Sequence, residues 1–229
     1  MNLDRKAHFS YPIRVLWRWN IAALSILATF VFGLTTSTSA QSDAPKRIVV
    51  LGDSLTAGYQ LPAADGFTSV LQANLRAKGI SVEVVNASVS GDTASAGLER
   101  FDWSLGSGAD AVIVELGAND MLRGIDVQVT YGALDRIISK LKERKIPVLL
   151  AGMKASRSVG SEYRDAFDAL YTRLAEKHEV LLYPFFLQGV AGQSEFNLQD
   201  GIHPNSAGVR RIVENITPYV LRLLAASAP

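Results

Sequence analysis

No cysteine occurs among the 229 residues, so the chain can form neither a disulfide nor a thiolate metal site. Histidine is scarce: His8, His178 and His203 are too few and too scattered for a His-rich metal centre. Neither a metal nor another cofactor is expected. Beyond the first forty residues acidic residues balance the basic ones. Setting aside that segment's four basic residues and one acid leaves 19 basic against 21 acidic of the chain's 23 and 22. A net charge of −2 excludes the basic footprint of a nucleic-acid binder. Long apolar runs are absent save residues 21–34, which fall short of the ~20 residues that a spanning helix needs.

What surrounds that run explains it. Arg5, Lys6, Arg14 and Arg18 precede it, and "TTSTSA" follows, with Thr38 and Ala40 spaced for cleavage before Gln41. This is the order of a secretory signal peptide. Residues 1–40 are therefore read as a leader, 41–46 as a short linker with Pro45, and 47–229 as one domain of ordinary size. The expectation is a periplasmic or secreted protein with no stable membrane association once the leader is gone. The alternative is an uncleaved anchor, its embedded part lengthened by Trp17 and Trp19.

In the domain, short apolar runs at 47–52, 82–86, 111–116, 147–151 and 180–183 have the continuous hydrophobicity of strands covered on both faces. Helical spacing lies between them: Phe67, Val70, Leu71 and Leu75; Val129, Leu134, Ile137, Ile138 and Leu141; Phe167, Leu170, Tyr171 and Leu174. A last helix is expected over 207–224, kinked or restarted at Pro218. Alternation of this kind implies an α/β domain, a mostly parallel five-stranded sheet between two helical layers. Ligands of such sheets sit outside the carboxyl ends of the strands. Polar, glycine-containing turns fall there: "GDSL" after the first strand, "SGDT" after the second, "GAND" after the third.

Ser54 in "GDSL" reads alone as a helix cap. "DGIHPN" (200–205) reads alone as a turn. Together they have the parts of a nucleophilic site. Pro204 biases His203 away from helix, and Gly201 lets Asp200 fold back on the ring's Nδ1–H, freeing Nε2 to take a serine proton. The Ser54 N–H, the Gly91 N–H and the Asn119 side-chain amide are candidate donors to an oxyanion. Asp53 and Asp120 are read as turn-stabilising groups, since neither has a histidine beside it.

"GDSL" (52–55), "SGDT" (90–93), "GAND" (117–120) and "DGIHP" (200–204) resemble, in order, the four blocks of the SGNH hydrolases, or GDSL lipases/esterases. The resemblance covers nearly all of the chain after residue 46. "VVNASVSGDT", "VELGAND" and "YPFF" are similar to its bacterial arylesterase and thioesterase/lysophospholipase branch. It implies a flavodoxin-like fold, a catalytic Ser54–His203–Asp200 triad, an oxyanion hole from Ser54, Gly91 and Asn119, and a small ester or thioester substrate. The acyl pocket of the family is expected to involve Met121, Leu122, Ile125 and Met153. The loop "GMKASRSVGSEY" (152–163) departs from the apolar or proline-containing loop of thioesterase-type relatives. With Lys154 and Arg157 in it, short to medium acyl chains are expected. Acyl-thioester or lysophospholipid hydrolysis and carbohydrate O-acetyl ester hydrolysis remain alternatives. A phosphate- or flavin-binding module is disfavoured, because "GDSLTAG" fits neither GxxxxGK[ST] nor GxGxxG.

Overall fold

The computed structural model describes residues 44–227. The expected leader lies outside the described residues, as does the first half of the linker; Lys46, at the linker's end, already belongs to the first strand.

The five apolar runs form β1 (Lys46–Gly52), β2 (Val82–Asn86), β3 (Ala111–Glu115), β4 (Val148–Ala151) and β5 (Leu181–Tyr183). They pair in parallel in the order β2-β1-β3-β4-β5. The central strands carry the core: Ile48 to Leu51 and Ala111 to Val114 are fully buried. Burial of each such Val, Leu or Ile side chain contributes about 1.5–3 kcal/mol.

The helices are α1 (Ser54–Ala57), α2 (Phe67–Ala77), α3 (Ala94–Glu99), α4 (Phe101–Leu105), α5 (Ala118–Leu122), α6 (Val127–Glu143), α7 (Ser161–His178) and α8 (Ser206–Ala226). α2 packs with α8, whereas α6 packs with both α3 and α7. These two helical groups make the three-layer arrangement the alternating pattern implies. Because the chain leaves β1 for β2 on one side and then crosses to β3 on the other, the order of connection reverses between β1 and β3. In this strand order that reversal opens a crevice at the carboxyl ends.

Two local expectations change. Asp126 caps α6 by accepting the Gln128 N–H at 2.8 Å, and the phase so set buries Val127 and Thr130 while leaving Val129 half exposed. α8 runs unbroken through Pro218. The proline removes one helical donor, but Val213, Ile216, Val220 and Leu223 stay buried around it. The Thr217 hydroxyl also donates to the Val213 carbonyl at 2.6 Å. No helix among the described residues is long and apolar enough to cross a membrane.

Candidate active site

β1 ends at Gly52, and the polar residues follow at once. A β-carbon at Gly52 would lie 2.1 Å from Thr56 Oγ1 and 3.0 Å from Glu115 Oε2, so only glycine lets these groups close on the strand exit. Asp53 is wholly buried and caps α1, accepting the Leu55 N–H at 3.0 Å. Ser54 is therefore the first residue of α1, where its own N–H has no intrahelical acceptor. A rigid buried strand on one side and a capped turn on the other fix its side chain.

The loop after β5 supplies the groups opposite. Gly201 takes a left-handed φ of 70°, and Asp200 folds back over it: Oδ1 accepts the Ile202 and His203 N–H groups at 2.9 and 3.0 Å. Asp200 Oδ2 lies 2.7 Å from His203 Nδ1, and His203 Nε2 lies 2.9 Å from Ser54 Oγ. The two backbone donors, with the His203 ring, hold the Asp200 carboxyl down at about 2. The loop is pinned on its far side by the Leu198 N–H to His203 carbonyl bond, 2.8 Å, and by Asn205, which caps α8.

Gly91, with a φ of 89°, offers an N–H for which no acceptor is found among the described residues. Its carbonyl accepts from the Arg123 guanidinium at 2.7 Å. Asn119, the second residue of α5, lies beside this turn. Its amide donates to Asp53 Oδ2 at 3.1 Å and to the Asp92 carbonyl at 3.0 Å, which fixes its orientation. Asp120 accepts the Ala94 N–H at 2.8 Å and the Thr130 hydroxyl at 3.0 Å, so it ties α5 to α3 and α6.

The pocket candidates separate. Met121 and Met153 belong to the core, Leu122 is exposed, and Ile125 is half-buried with its carbonyl taking the Tyr163 hydroxyl at 2.8 Å. Lys154 and Arg157 are exposed; the Lys154 ammonium stands 5.6 Å from the Phe185 ring centroid, and Asp168 holds the loop through the Ala155 N–H at 2.8 Å. An open depression of about 280 Å³, lined in part by Pro147, Val148 and Leu181, lies at the opposite, amino-terminal end of the strands.

Sequence reasoning missed four participants. Tyr59 lays its ring 4.3 Å from that of His203, and its signal was its place one turn beyond Ser54. Arg123 follows "GAND" and reaches back to Gly91. Glu115 is a carboxyl at the end of an otherwise apolar strand, fully buried. Ser88, which shares a 2.8 Å hydroxyl contact with Thr56, gave no signal beyond lying in a turn.

Residues 50–211 match the model of the GDSL-like lipase/acylhydrolase family. An arylesterase of Vibrio mimicus is 38% identical over 187 residues, covering 81% of this chain and 94% of its own. The thioesterase 1/protease 1/lysophospholipase L1 of Escherichia coli strain K12 is 36% identical over 191 residues, 83% of this chain and 86% of its own. The crystal structure of TesA superposes with a TM-score of 0.74 at 36% identity, over 78% of this chain and 99% of that one.

Proposed function

The chain belongs to the GDSL-like lipase/acylhydrolase family, the SGNH hydrolases, and is a carboxylic ester hydrolase; from that premise we propose how its residues divide the work. Ser54 Oγ attacks the acyl carbonyl. His203 takes the serine proton on Nε2 and returns it to the leaving alcohol. Asp200 holds the ring tautomer and stabilises the imidazolium. Water then attacks the acyl-enzyme, with His203 again as the base, and the carboxylic acid leaves. The observation that carries this reading is the unbroken run Asp200–His203–Ser54, at 2.7 and 2.9 Å, on the exit of a buried strand.

The developing oxyanion takes the Ser54 N–H and the Gly91 N–H, for which no other acceptor is found among the described residues. Asn119 is the third donor, and it shares its amide between the oxyanion and its two present partners. Arg123 steadies the Gly91 peptide from its carbonyl side.

The substrate is an ester of a short to medium acyl chain with an aryl or similarly good leaving group. Exposed Leu122 gives an apolar contact near the site, whereas the loop bearing Lys154 and Arg157 is polar. Thioester and lysophospholipid hydrolysis are the second reading, favoured by the name of the Escherichia coli relative. The N-terminal basic–apolar–small order directs the protein out of the cytoplasm. Labelling by a fluorophosphonate that is lost in Ser54→Ala, with kcat/KM compared on nitrophenyl esters and acyl-thioesters, tests this function. Labelling that survives the substitution would reject the nucleophile; a higher kcat/KM on thioesters would promote the second reading.

A further inference from the structure

Three carboxyls are buried beside the nucleophile: Asp53, Glu115 and Asp120. Asp120 has a donor on each oxygen. Asp53 likewise has the Leu55 N–H on one oxygen and the Asn119 amide on the other. Glu115 does not. Its Oε2 accepts from the Thr56 hydroxyl at 3.2 Å, but Oε1 is buried with no donor. A buried carboxylate oxygen without a donor costs several kcal/mol, and proteins rarely tolerate it.

The register of the sheet gives the reason. Glu115 pairs with Gly52 across β1 and β3, which sets its side chain beside the exit of β1, where Asp53 follows. The Glu115 carboxyl stands at the exit of β1, its Oε2 3.0 Å from where a β-carbon on Gly52 would lie, and close enough to Asp53 that the charge there disfavours its ionisation. Two carboxyls in contact cannot both be ionised cheaply, but an acid and a carboxylate form a good hydrogen bond. Asp53 has two other donors and suits the charge; Glu115, with an oxygen left over, suits the proton.

We propose that Glu115 is a positioning residue that donates a hydrogen bond from its carboxylic acid to the Asp53 carboxylate, and through Asp53 holds the Asn119 amide in the oxyanion hole. This rests on the reading of Asn119 as an oxyanion donor. The proton does two things. It gives Asp53 a third donor, so that Asp53 competes less with an oxyanion for the Asn119 amide. It also keeps the pair at one negative charge, near the place where a second negative charge develops in the transition state.

The surroundings agree. Burial and the charge of Asp53 push the Glu115 carboxyl well up, and burial pushes Asp53 up to about 6 despite the Leu55 and Asn119 donors. The titratable and charged groups that face the pair are His203 from the loop after β5, Asp120 from α5 and Tyr171 from α7. Tyr171 keeps its proton, donated to the Leu116 carbonyl at 2.9 Å. Arg100, between α3 and α4, touches the Gly52 carbonyl, but its ion pair is with Asp92.

A triad served by a histidine base loses activity as the base protonates and has no alkaline limb of its own. Loss of the Glu115 proton adds one. The expected profile of kcat/KM for nitrophenyl acetate therefore falls at alkaline pH in the wild type and stays level in Glu115→Gln, whose amide donates to Asp53 and cannot ionise. Glu115→Ala should lower kcat about tenfold or more with KM unchanged, and Glu115→Gln should recover all but about threefold of it. Carbon-13 NMR of glutamate carboxyls in the wild-type protein, with no substrate, reads the proton directly even if a variant fails to fold. One carboxyl should remain protonated at neutral pH and titrate with the alkaline loss of activity. Glutamates all ionised at neutral pH, or the same alkaline limb in Glu115→Gln, would overturn the proposal. Because the NMR needs no turnover, that failure is distinct from a failure of Ser54 as nucleophile.

Discussion

The loop carrying Asp200 and the strand exit carrying Asp53 both serve Ser54, one through His203 and one through the chain itself, and they treat the same chemical group in opposite ways. Asp200 is exposed; its two backbone donors and the His203 ring hold it ionised down to about 2. Asp53 is buried in a strand exit beside another acid, and burial raises it to about 6 although donors surround it. The difference teaches that donor count alone does not set a carboxyl's charge. A short exposed loop supplies backbone N–H groups at no desolvation cost, whereas a strand exit beneath two helical layers supplies donors and removes water together. In the proposed mechanism the first arrangement supplies a permanent negative charge for an imidazolium. The second would supply a charge held on the edge of neutrality, one that steadies an amide without repelling an oxyanion strongly.

The largest effect comes from removing what both regions serve. Ser54→Ala or His203→Ala should lower kcat about 10⁶-fold, and Asp200→Asn about 10⁴-fold, the scale of such losses in serine hydrolases. Circular dichroism should show the fold intact in all three. An Asp200→Asn loss as deep as that of His203→Ala would mean that Asp200 does more than orient the ring.

The buried side of the comparison is broken next by Asn119→Ala, which should cost about 10² to 10³ in kcat with little change in KM. A rise in KM alone would make Asn119 a substrate-binding group and detach the Asp53 region from the transition state.

Stability against pH sharpens the contrast, since the two acids carry opposite signs. Asp200 is depressed below its ordinary 3.8, so its contribution is present above that value and lost as pH falls toward about 2. Asp53 is raised from 3.8 to about 6, so its contribution is full at acid pH and lost as pH rises through that window. In melting curves from pH 2 to 8, Asp200→Asn should flatten the acid side and Asp53→Asn should flatten the change between about 4 and 6. If either variant tracks the wild type, the environment assigned to that carboxyl is wrong.

The smallest effect concerns a region outside both. Changing Lys154 and Arg157 to leucine should move the preferred nitrophenyl ester to a longer acyl chain, each added CH₂ gaining up to about 0.8 kcal/mol where the wall has become apolar. An unchanged preference would show that this loop, held over Phe185 and by Asp168, does not face the acyl chain.

The strands were legible because both faces of each are covered, so apolar residues run without a break; the observed boundaries differ from the pattern by one residue or none. Ser54, Gly91, Asn119, Asp200 and His203 stood out because each sits in a short polar turn at a strand exit or in the last loop. Val129 was misjudged because a cap sets helix phase, and the helix does not restart at Pro218 because packing outweighs one lost hydrogen bond. Glu115 was overlooked because nothing next to it in sequence is polar: its partners Asp53 and Thr56 lie some sixty residues away.

The α/β order of elements and the identity of the chemical groups are written in the sequence, since periodicity and turn residues act over a few positions. So is the Asp200–His203 pairing, which a four-residue bend can close alone. It takes the packing of the whole domain to bring His203 to Ser54 across 149 residues of chain, to lay Tyr59 on its ring, and to bury Glu115 at the strand exit that carries Asp53. Those contacts depend on strand register and burial, which arise from the packing of the whole sheet, and burial sets whether an acid keeps its proton.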